Sequence, residues 1–432
     1  MAAARRRFAI RNLKDKQAMR VVETEIVVVG AGMAGLAAAR RLAEAGHHVV
    51  LVEARERVGG RLLTVRPAAA GLPVELGAEF VHGKPAELMA LIEEAGLTLF
   101  EREGEFLSHD GAQFTDGGLG AQFEVLGALP EEGDRSFDAF LAGADLPEKV
   151  AAQARQYVEG FNAADASRIG TASLRRQQEA EEEIEGDRLF RVREGYDRLA
   201  EFVRERFEAA GGELRLSSPV EEIAWERGAV QLRLKGGEEL RAQKAVLTLP
   251  LGVLQAGTVR FVPEVMTEPV AAMAMGAAAR LTLVFGKRFW DAEMSFLLTE
   301  ERPLRVWWTA FPDESPCLTG WVGGPRTLEV PVDDMTLAMV ALESLGRVFQ
   351  REDLEGLLVS AHRHDWLGDP WSRGAYSYAP AGALGASAAM AEPVEATLYF
   401  AGEHTDTTGH WGTVHGALRS GLRAAEQILR GE

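Results

Sequence analysis

Two short stretches near the start of the chain are apolar at almost every position rather than at alternate ones. In Glu25-Ile26-Val27-Val28-Val29 and His48-Val49-Val50-Leu51-Val52-Glu53 every residue between the polar flanks is branched aliphatic, the pattern of strands buried on both faces. Between them, Met33 to Ala45 is rich in Ala, Leu and Arg and reads as a helix, so residues 25–53 form a strand–helix–strand unit. Further helices are expected at 85–96, 138–160, 175–185 and from Tyr196 to Ala210. Strands follow near 213–217, 220–226, 229–234 and 239–241, then the apolar strand Lys244 to Leu249. Residues 253–393 mix strands (279–285, 304–310, 317–323), a helix (334–349) and a Gly/Pro/aromatic segment (366–382), and read as a second domain. The strand Thr397 to Ala401, a Gly-rich loop and a helix from Thr413 to Arg430 close the chain, with Gly431 as C-cap. No repeat and no Pro/Ser-rich linker is present, so the chain is expected to cross between domains more than once.

Length and charge narrow the class. The 432 residues suffice for two or three domains. A net charge of −18 argues against nucleic acid or an anionic membrane as principal partner. Residues 1–20 run the other way: Arg5, Arg6, Arg7, Arg11, Lys14, Lys16 and Arg20 face only Asp15, so a basic arm of net +6 precedes a body of −24. Arg5-Arg6-Arg7-Phe8 has the look of a twin-arginine signal, but polar Asn12, Lys14, Asp15, Lys16 and Gln17 stand where an apolar stretch is needed. The apolar run from Ile26 to Ala39 is shorter than the roughly 20 residues of a membrane span. The single cysteine, Cys317, excludes an intrachain disulfide and fits a reducing compartment, so a cytoplasmic protein is expected. His362/His364 and His404/His410/His415 lack carboxylates at ligand spacing in the sequence, and no metal site is expected. The acidic run Glu179, Glu181, Glu182, Glu183, Glu185 reads as a solvated helix face. No G-x-S-x-G elbow supports hydrolysis.

Chemistry enters at the turn after the first strand. Gly30-Ala31-Gly32-Met33-Ala34-Gly35 is G-x-G-x-x-G between a strand and a helix, and Glu53 ends the next strand. One glycine serves the tight turn, one lets backbone N–H groups approach a pyrophosphate, and one allows close helix–strand packing, while the helix dipole favours the anion. Glu53 is suited to accept hydrogen bonds from a ribose diol. The motif alone leaves NAD and FAD open.

The residues that follow decide between them. Glu53-Ala54-Arg55-Glu56-Arg57-Val58-Gly59-Gly60-Arg61 resembles the extended fingerprint of the FAD-dependent amine oxidase superfamily, in which the glycine pair passes close to the pyrophosphate and the arginine neutralises it. Glu75-Leu76-Gly77-Ala78-Glu79-Phe80-Val81-His82-Gly83 is similar to the loop that runs along the flavin ring in that superfamily, and Gly195-Tyr196-Asp197-Arg198-Leu199 to its G-x-x-x-L helix start. Val220 sits where the superfamily lays backbone against the adenine. Tyr399-Phe400-Ala401-Gly402-Glu403-His404 and Gly412-Thr413-Val414-His415-Gly416-Ala417 resemble its closing FAD motif, which implies that Glu403 holds the ribityl or pyrophosphate region and that the Thr413 and Val414 amides face the N1–C2=O edge. Charge gathers near N1 on reduction, and a helix N-terminus stabilises it. The resemblance runs from about residue 24 to 430. It implies an α/β fold with a discontinuous Rossmann-like FAD-binding domain (21–80, 187–252 and 394–432) and a second α+β substrate-binding domain (81–186 and 253–393).

Within the superfamily, Asp369-Pro370-Trp371-Ser372-Arg373-Gly374-Ala375-Tyr376-Ser377-Tyr378 resembles the polyamine oxidase and histone-lysine-demethylase branch. The resemblance implies that Tyr376 walls the flavin face, with a π surface that tolerates a cationic nitrogen. Ala375 replaces the cysteine that carries flavin covalently in mitochondrial monoamine oxidases, so FAD is expected to be non-covalent. Thr413 stands where monoamine oxidases carry a second tyrosine, so the resemblance implies an aromatic cage that is either broken on that side or completed by a neighbour such as Trp411; His82, Trp307 and Trp308 are further pocket candidates. Arg280 stands where family members commonly carry a lysine that holds a water against N5. It can donate to a water but cannot act as a base. The implied activity is oxidation of an amine C–N bond, with a small-molecule amine and O2 as partners and a homodimer left open. An L-amino-acid oxidase or desaturase of the same fold, and an FAD protein with little turnover because of Arg280, are the alternatives. Nothing between 81 and 394 resembles the long helical insertion with which demethylases bind chromatin partners.

Overall fold

The computed structural model describes residues 21–432; the expected basic arm at 1–20 lies outside the described residues. The two apolar runs pair side by side. Ile26–Val29 and Val49–Val52 are parallel, with Val27 opposite Val50, and sit inside a five-stranded parallel sheet whose remaining strands are Glu213–Arg215, Lys244–Leu247 and Leu398–Phe400. Three separate stretches of chain therefore build one sheet. Every residue of Ile26–Val29 and Val49–Val52 is buried, as their unbroken apolar sequence requires, because both faces are covered.

One face carries the helices Met33–Glu44, Asp197–Ala209 and Val414–Arg430, which share a core with Ile26, Val28, Leu51 and Val246. The first and last of these lie in close contact: a Cβ on Gly421 would fall 2.1 Å from the Ala34 carbonyl oxygen, so only glycine fits there. The other face packs on a second sheet, built around the meander Val220–Glu226, Ala229–Leu234 and Glu239–Ala242, with Val27, Val29 and Leu247 meeting Ile223, Leu232 and Leu240.

A seven-stranded sheet forms the other half of the molecule. Ala278–Phe285, Met294–Thr299, Val306–Thr309 and Cys317–Gly323 are its centre, Leu358–His362 closes one edge, and Glu105–His109 with Phe114–Asp116 closes the other. The helix Asp334–Phe349 covers it, buried through Leu337, Ala341, Leu345 and Val348 and capped by the Asp333 carboxylate on the Thr336 N–H. The strands at 105–109, 114–116, 294–299 and 358–362 are additions to the sequence expectation. The helix expected at 138–160 is two helices, Phe137–Gly143 and Glu148–Asn162, because Pro147 has no N–H to continue the first and instead stands just before the start of the second. The helix expected at 175–185 begins earlier, as Thr171–Glu183. Among the described residues no helix is long and apolar enough to cross a membrane.

Candidate active site

The strand ends, the 75–83 loop and the seven-stranded sheet enclose one cavity of about 1450 Å³. Of the residues the sequence assigns to cofactor and pocket, all line it except Gly35 and Trp307. Gly35 does the packing its motif position asks for, since a Cβ there would lie 1.8 Å from the Gly30 carbonyl oxygen. Gly32 is the reverse case, with nothing within 4 Å of where its Cβ would stand. It starts the Met33–Glu44 helix with no side chain on the free N–H groups of the first turn. That leaves an open, uncapped helix N-terminus facing the cavity.

Glu53 is buried and already fixed: one oxygen accepts from the Ala31 N–H at 2.7 Å and the other from the Arg55 N–H at 2.8 Å. Gly59 and Gly60 have φ of +94° and +58°, backbone that side-chain-bearing residues avoid, and Gly60 rests against the Gly32 Cα. Arg55 is held by Asp369 (2.8 Å) and Ser372 (2.8 Å). Arg61 donates to the Ala375 carbonyl (2.8 Å) and to Glu403 (2.9 Å). The buried Glu403 also accepts from the Ser377 hydroxyl (2.6 Å) and the Gly412 N–H (2.9 Å). Burial pushes its carboxyl up, but Arg61 and these donors outweigh burial and hold it below the ordinary range. Thr413 caps the Val414–Arg430 helix by accepting from the Gly416 N–H, leaving the earlier amides of that helix at the cavity wall.

The chamber beyond is aromatic. Tyr376 donates its hydroxyl to the Phe161 carbonyl at 2.6 Å, and its ring closes on Gly412, where a Cβ would come within 2.9 Å of it. Trp411 is fixed by a bond from its indole N–H to the Asp406 carbonyl (3.0 Å). His82 packs edge-on to Phe161 and Phe80, and burial pushes its imidazole down to about 4. Trp307 corrects the sequence reading. Along the strand Val306–Thr309 alternate side chains face opposite ways, so Trp307 enters the core under the sheet, bonded to the Leu304 carbonyl, while Trp308 faces the cavity.

Arg280 does line the cavity, but its terminal nitrogens are engaged. One donates to the Gly77 carbonyl (3.0 Å), the other pairs with buried Glu79, and the guanidinium lies over the Trp308 ring at 5.3 Å. Its Nε–H is buried without a partner. Glu79 also pairs with Arg191 (3.0 Å) and accepts from the Trp308 indole (3.0 Å). Burial raises its carboxyl, but Arg191, Arg280 and Arg102 together outweigh burial and hold it low.

Comparison with known proteins fixes the family. The family model described as flavin containing amine oxidoreductase matches residues 33–183 and 134–429 in two overlapping segments. The chain belongs to that family. Its cofactor is FAD, and it is an amine oxidoreductase by class. Among its relatives, human lysine-specific histone demethylase 2 is 27% identical over 93% of this chain and 53% of its own length, so this chain spans about half of it. Polyamine oxidase 3 of Oryza sativa subsp. japonica is 28% identical over 93% of this chain and 88% of its own length. Wild-type putrescine oxidase bound to putrescine superimposes with a TM-score of 0.81 at 20% identity, covering 95% of this chain and all of that one. Cyclohexylamine oxidase from Brevibacterium oxydans IH-35A gives a TM-score of 0.80 at 22% identity, covering 94% and 99%. At these identities the likeness to the solved structures is one of fold.

The residues present fit the flavin the family uses. The uncapped first helix, the open face of Gly32 and the fixed carboxylate of Glu53 form a cradle that a Cβ at Gly32 would fill. The sequence did not mark Glu79, Arg191 and Arg102 as one charge cluster, nor Glu181 as a cavity residue. Glu181 corrects two expectations. It leaves the solvated face to line the cavity, and it brings a carboxylate to His410 and His415, with ligand-capable atoms of the three within 4.8 Å of one another. Helical spacing held the signal, because Leu174, Gln177, Gln178 and Glu181 share the cavity-facing side of Thr171–Glu183.

Proposed function

We propose that the protein oxidises the C–N bond of a small amine to an imine, which water converts to an aldehyde or ketone, with O2 reduced to H2O2. The observation that carries this reading is the large cavity, with a dinucleotide cradle at one end and an aromatic chamber at the other. FAD, when bound, would supply a two-electron acceptor that O2 can reoxidise. In this reading the Gly32–Ala34 turn and Arg61 hold the pyrophosphate, Glu53 holds a ribose, Val220 borders the adenine, and the Thr413–Val414 amides stabilise charge at the ring. Ala375 offers no nucleophile, which supports non-covalent attachment. Tyr376 and Trp411 position the amine's carbon and exclude water. The polyamine oxidase relatives support an amine substrate, and the reading covers monoamines and polyamines alike. The single cysteine supports a reducing, cytoplasmic setting.

Arg280 bears on the alternatives. With its terminal nitrogens on Gly77 and Glu79, it is poorly placed to hold the carboxylate of an amino acid, which counts against an L-amino-acid oxidase using this residue. The same engagement favours slow reoxidation as the second reading, since the family's lysine water is left with only an Nε–H. The test uses the purified yellow protein. Acid should release intact FAD, amines mixed anaerobically should bleach the flavin, and air should restore the colour with stoichiometric H2O2. Bleaching without restoration by O2 identifies a dehydrogenase, and no bleaching by any amine refutes the proposal.

A further inference from the structure

Resting on the placement of FAD in this cradle, we propose that Asp369 is a positioning residue for the cofactor: through Arg55 it latches the segment 363–376 against the cradle, and FAD enters and leaves when that latch opens. Residues 363–376 run between Leu358–His362 and Ser377–Tyr378 and carry no helix or strand. They nonetheless build a side of the cavity, through Trp366, Trp371, Ser372, Ala375 and Tyr376. Their internal backbone bonds close local turns, from the Asp369 N–H to Asp365 and from the Arg373 N–H to Asp369, so the hold on the rest of the protein rests on a few anchors.

Two anchors pin the ends: the Trp366 indole donates to the Leu76 carbonyl at 2.7 Å and the Ala375 N–H to the Gly276 carbonyl at 2.8 Å. The middle is held at one carboxylate. Asp369 is 7% exposed; one oxygen accepts from the Arg55 guanidinium at 2.8 Å and from His364 Nε2 at 2.7 Å, the other from the Trp371 N–H at 2.8 Å. The second terminal nitrogen of Arg55 donates to the Ser372 hydroxyl at 2.8 Å. Burial raises the Asp369 carboxyl, but His364 and Arg55 outweigh burial and hold it well below the ordinary carboxylate range. Arg55 and Asp369 are therefore a charge-assisted pair with little solvent around either partner. Beside them Arg373 has φ of +55°, left-handed backbone that a side-chain-bearing residue adopts only where its surroundings impose it.

The other end of the latch belongs to the cradle. Arg55 follows Glu53 in the fingerprint, and its backbone N–H is one of the two donors on the Glu53 carboxylate. Loss of the Asp369 charge thus loosens Arg55, Ser372 and the cavity wall together. The bonds are all made within the protein, so a closed latch hinders entry of the cofactor as well as its exit. This separates a latch from an ordinary wall residue. Removing a wall contact speeds release only, whereas removing a latch speeds both directions, because entry no longer waits for the closed state to open.

The experiment measures both rates. Release is read as exchange of radiolabelled FAD from the loaded enzyme into excess unlabelled FAD, and entry as quenching of tryptophan fluorescence when FAD is added to stripped protein. Asp369→Asn keeps the shape and removes the charge. It is expected to raise the release rate at least about tenfold, as stripping one partner from a buried charge pair does, and to raise the entry rate as well. In an Arg55→Met background the same substitution should add less than about threefold, since the two residues act as one unit. Amide hydrogen exchange should quicken across 367–374 and stay unchanged in Ile26–Val29. Unchanged release, or faster release with entry unchanged or slower, overturns the latch. Should Asp369→Asn fail to fold, Ser372→Ala, which leaves the ion pair in place, is expected to move both rates in the same direction by less, and unchanged rates there overturn it equally. None of these readouts needs an amine. FAD uptake without bleaching by any amine refutes the amine-oxidation reading and leaves this test standing, whereas a protein that takes up no FAD overturns the latch itself.

Discussion

Glu79 sits among three buried guanidiniums, and replacing it with glutamine isolates what that charge does. Glu79 pairs directly with Arg191 and Arg280, with Arg102 nearby. At about 4 Å and an effective dielectric of about 20, each guanidinium–carboxylate pair is worth about 4 kcal/mol. Two such pairs give about 8 kcal/mol gross, offset by several kcal/mol for desolvating the carboxylate, so the net loss on removing it falls at about 3–5 kcal/mol. Glutamine keeps the shape, but its carbonyl can serve one guanidinium and its amide points donors at the other. Urea unfolding followed by tryptophan fluorescence, on FAD-loaded and FAD-stripped protein, reads this loss; it should appear in both forms, because the ion pairs are within the protein. The pH dependence gives an independent check. The folded carboxyl is held below its ordinary value, so its stabilisation is complete above the ordinary carboxylate range and is lost as pH falls through the folded value. Wild type and Glu79→Gln should therefore differ most at neutral pH and converge in acid. Adding Arg280→Met to Glu79→Gln should recover part of the loss by removing one stranded cation. A loss below about 1 kcal/mol at neutral pH, against the 3–5 expected for breaking a buried pair, refutes the reasoning.

Three shorter predictions follow from the same geometry. Gly35→Ala forces a Cβ to 1.8 Å from the Gly30 carbonyl oxygen and should destabilise the fold by about 1–3 kcal/mol or more, whereas Gly32→Ala meets nothing and should keep wild-type unfolding but lose FAD on dialysis. Arg280→Lys replaces a planar fork by a point charge that cannot serve Gly77, Glu79 and Trp308 together; it should change flavin reoxidation by O2 more than FAD affinity, and unchanged reoxidation in stopped flow would place Arg280 away from N5. Tyr376→Phe removes the bond to the Phe161 carbonyl, about 0.5–1.5 kcal/mol of stability, yet keeps the wall, while Tyr376→Ala should slow anaerobic bleaching by about a hundredfold through lost positioning.

Local chemistry was legible in the sequence wherever one segment carries its own signal. Gly30 to Gly35, Glu53 and Gly59 to Arg61 act through backbone and short-range spacing, and the strand–turn–helix that carries them is the local structure their sequence predicts. Tertiary placement was less legible. Trp307 and Trp308 are equally apolar, and only the register of the strand Val306–Thr309 on its neighbours decides which of them faces the cavity. Glu181 looks like its acidic neighbours until the Thr171–Glu183 helix is laid against His410 and His415 from the far end of the chain. The split of 138–160 was within reach, since Pro147 alone announces it. The charge cluster at Glu79 gathers arginines from strands distant in sequence, which no window along the chain connects.

The contact of the Met33–Glu44 helix with Val414–Arg430 has a consequence for biosynthesis. Arg41 meets Glu426 across 385 residues of chain, and the sheet that carries the Gly-rich turn takes Leu398–Phe400 as its edge strand. During translation the dinucleotide turn is made long before Glu403, and Arg61, Glu403 and the Thr413 helix start cannot come together until residue 413 has left the ribosome. If these residues hold the cofactor as proposed, FAD loading is expected to wait for that point. Nascent chains stalled before residue 398 should emerge without cofactor, and flavin supply should act only on chains extended past residue 413.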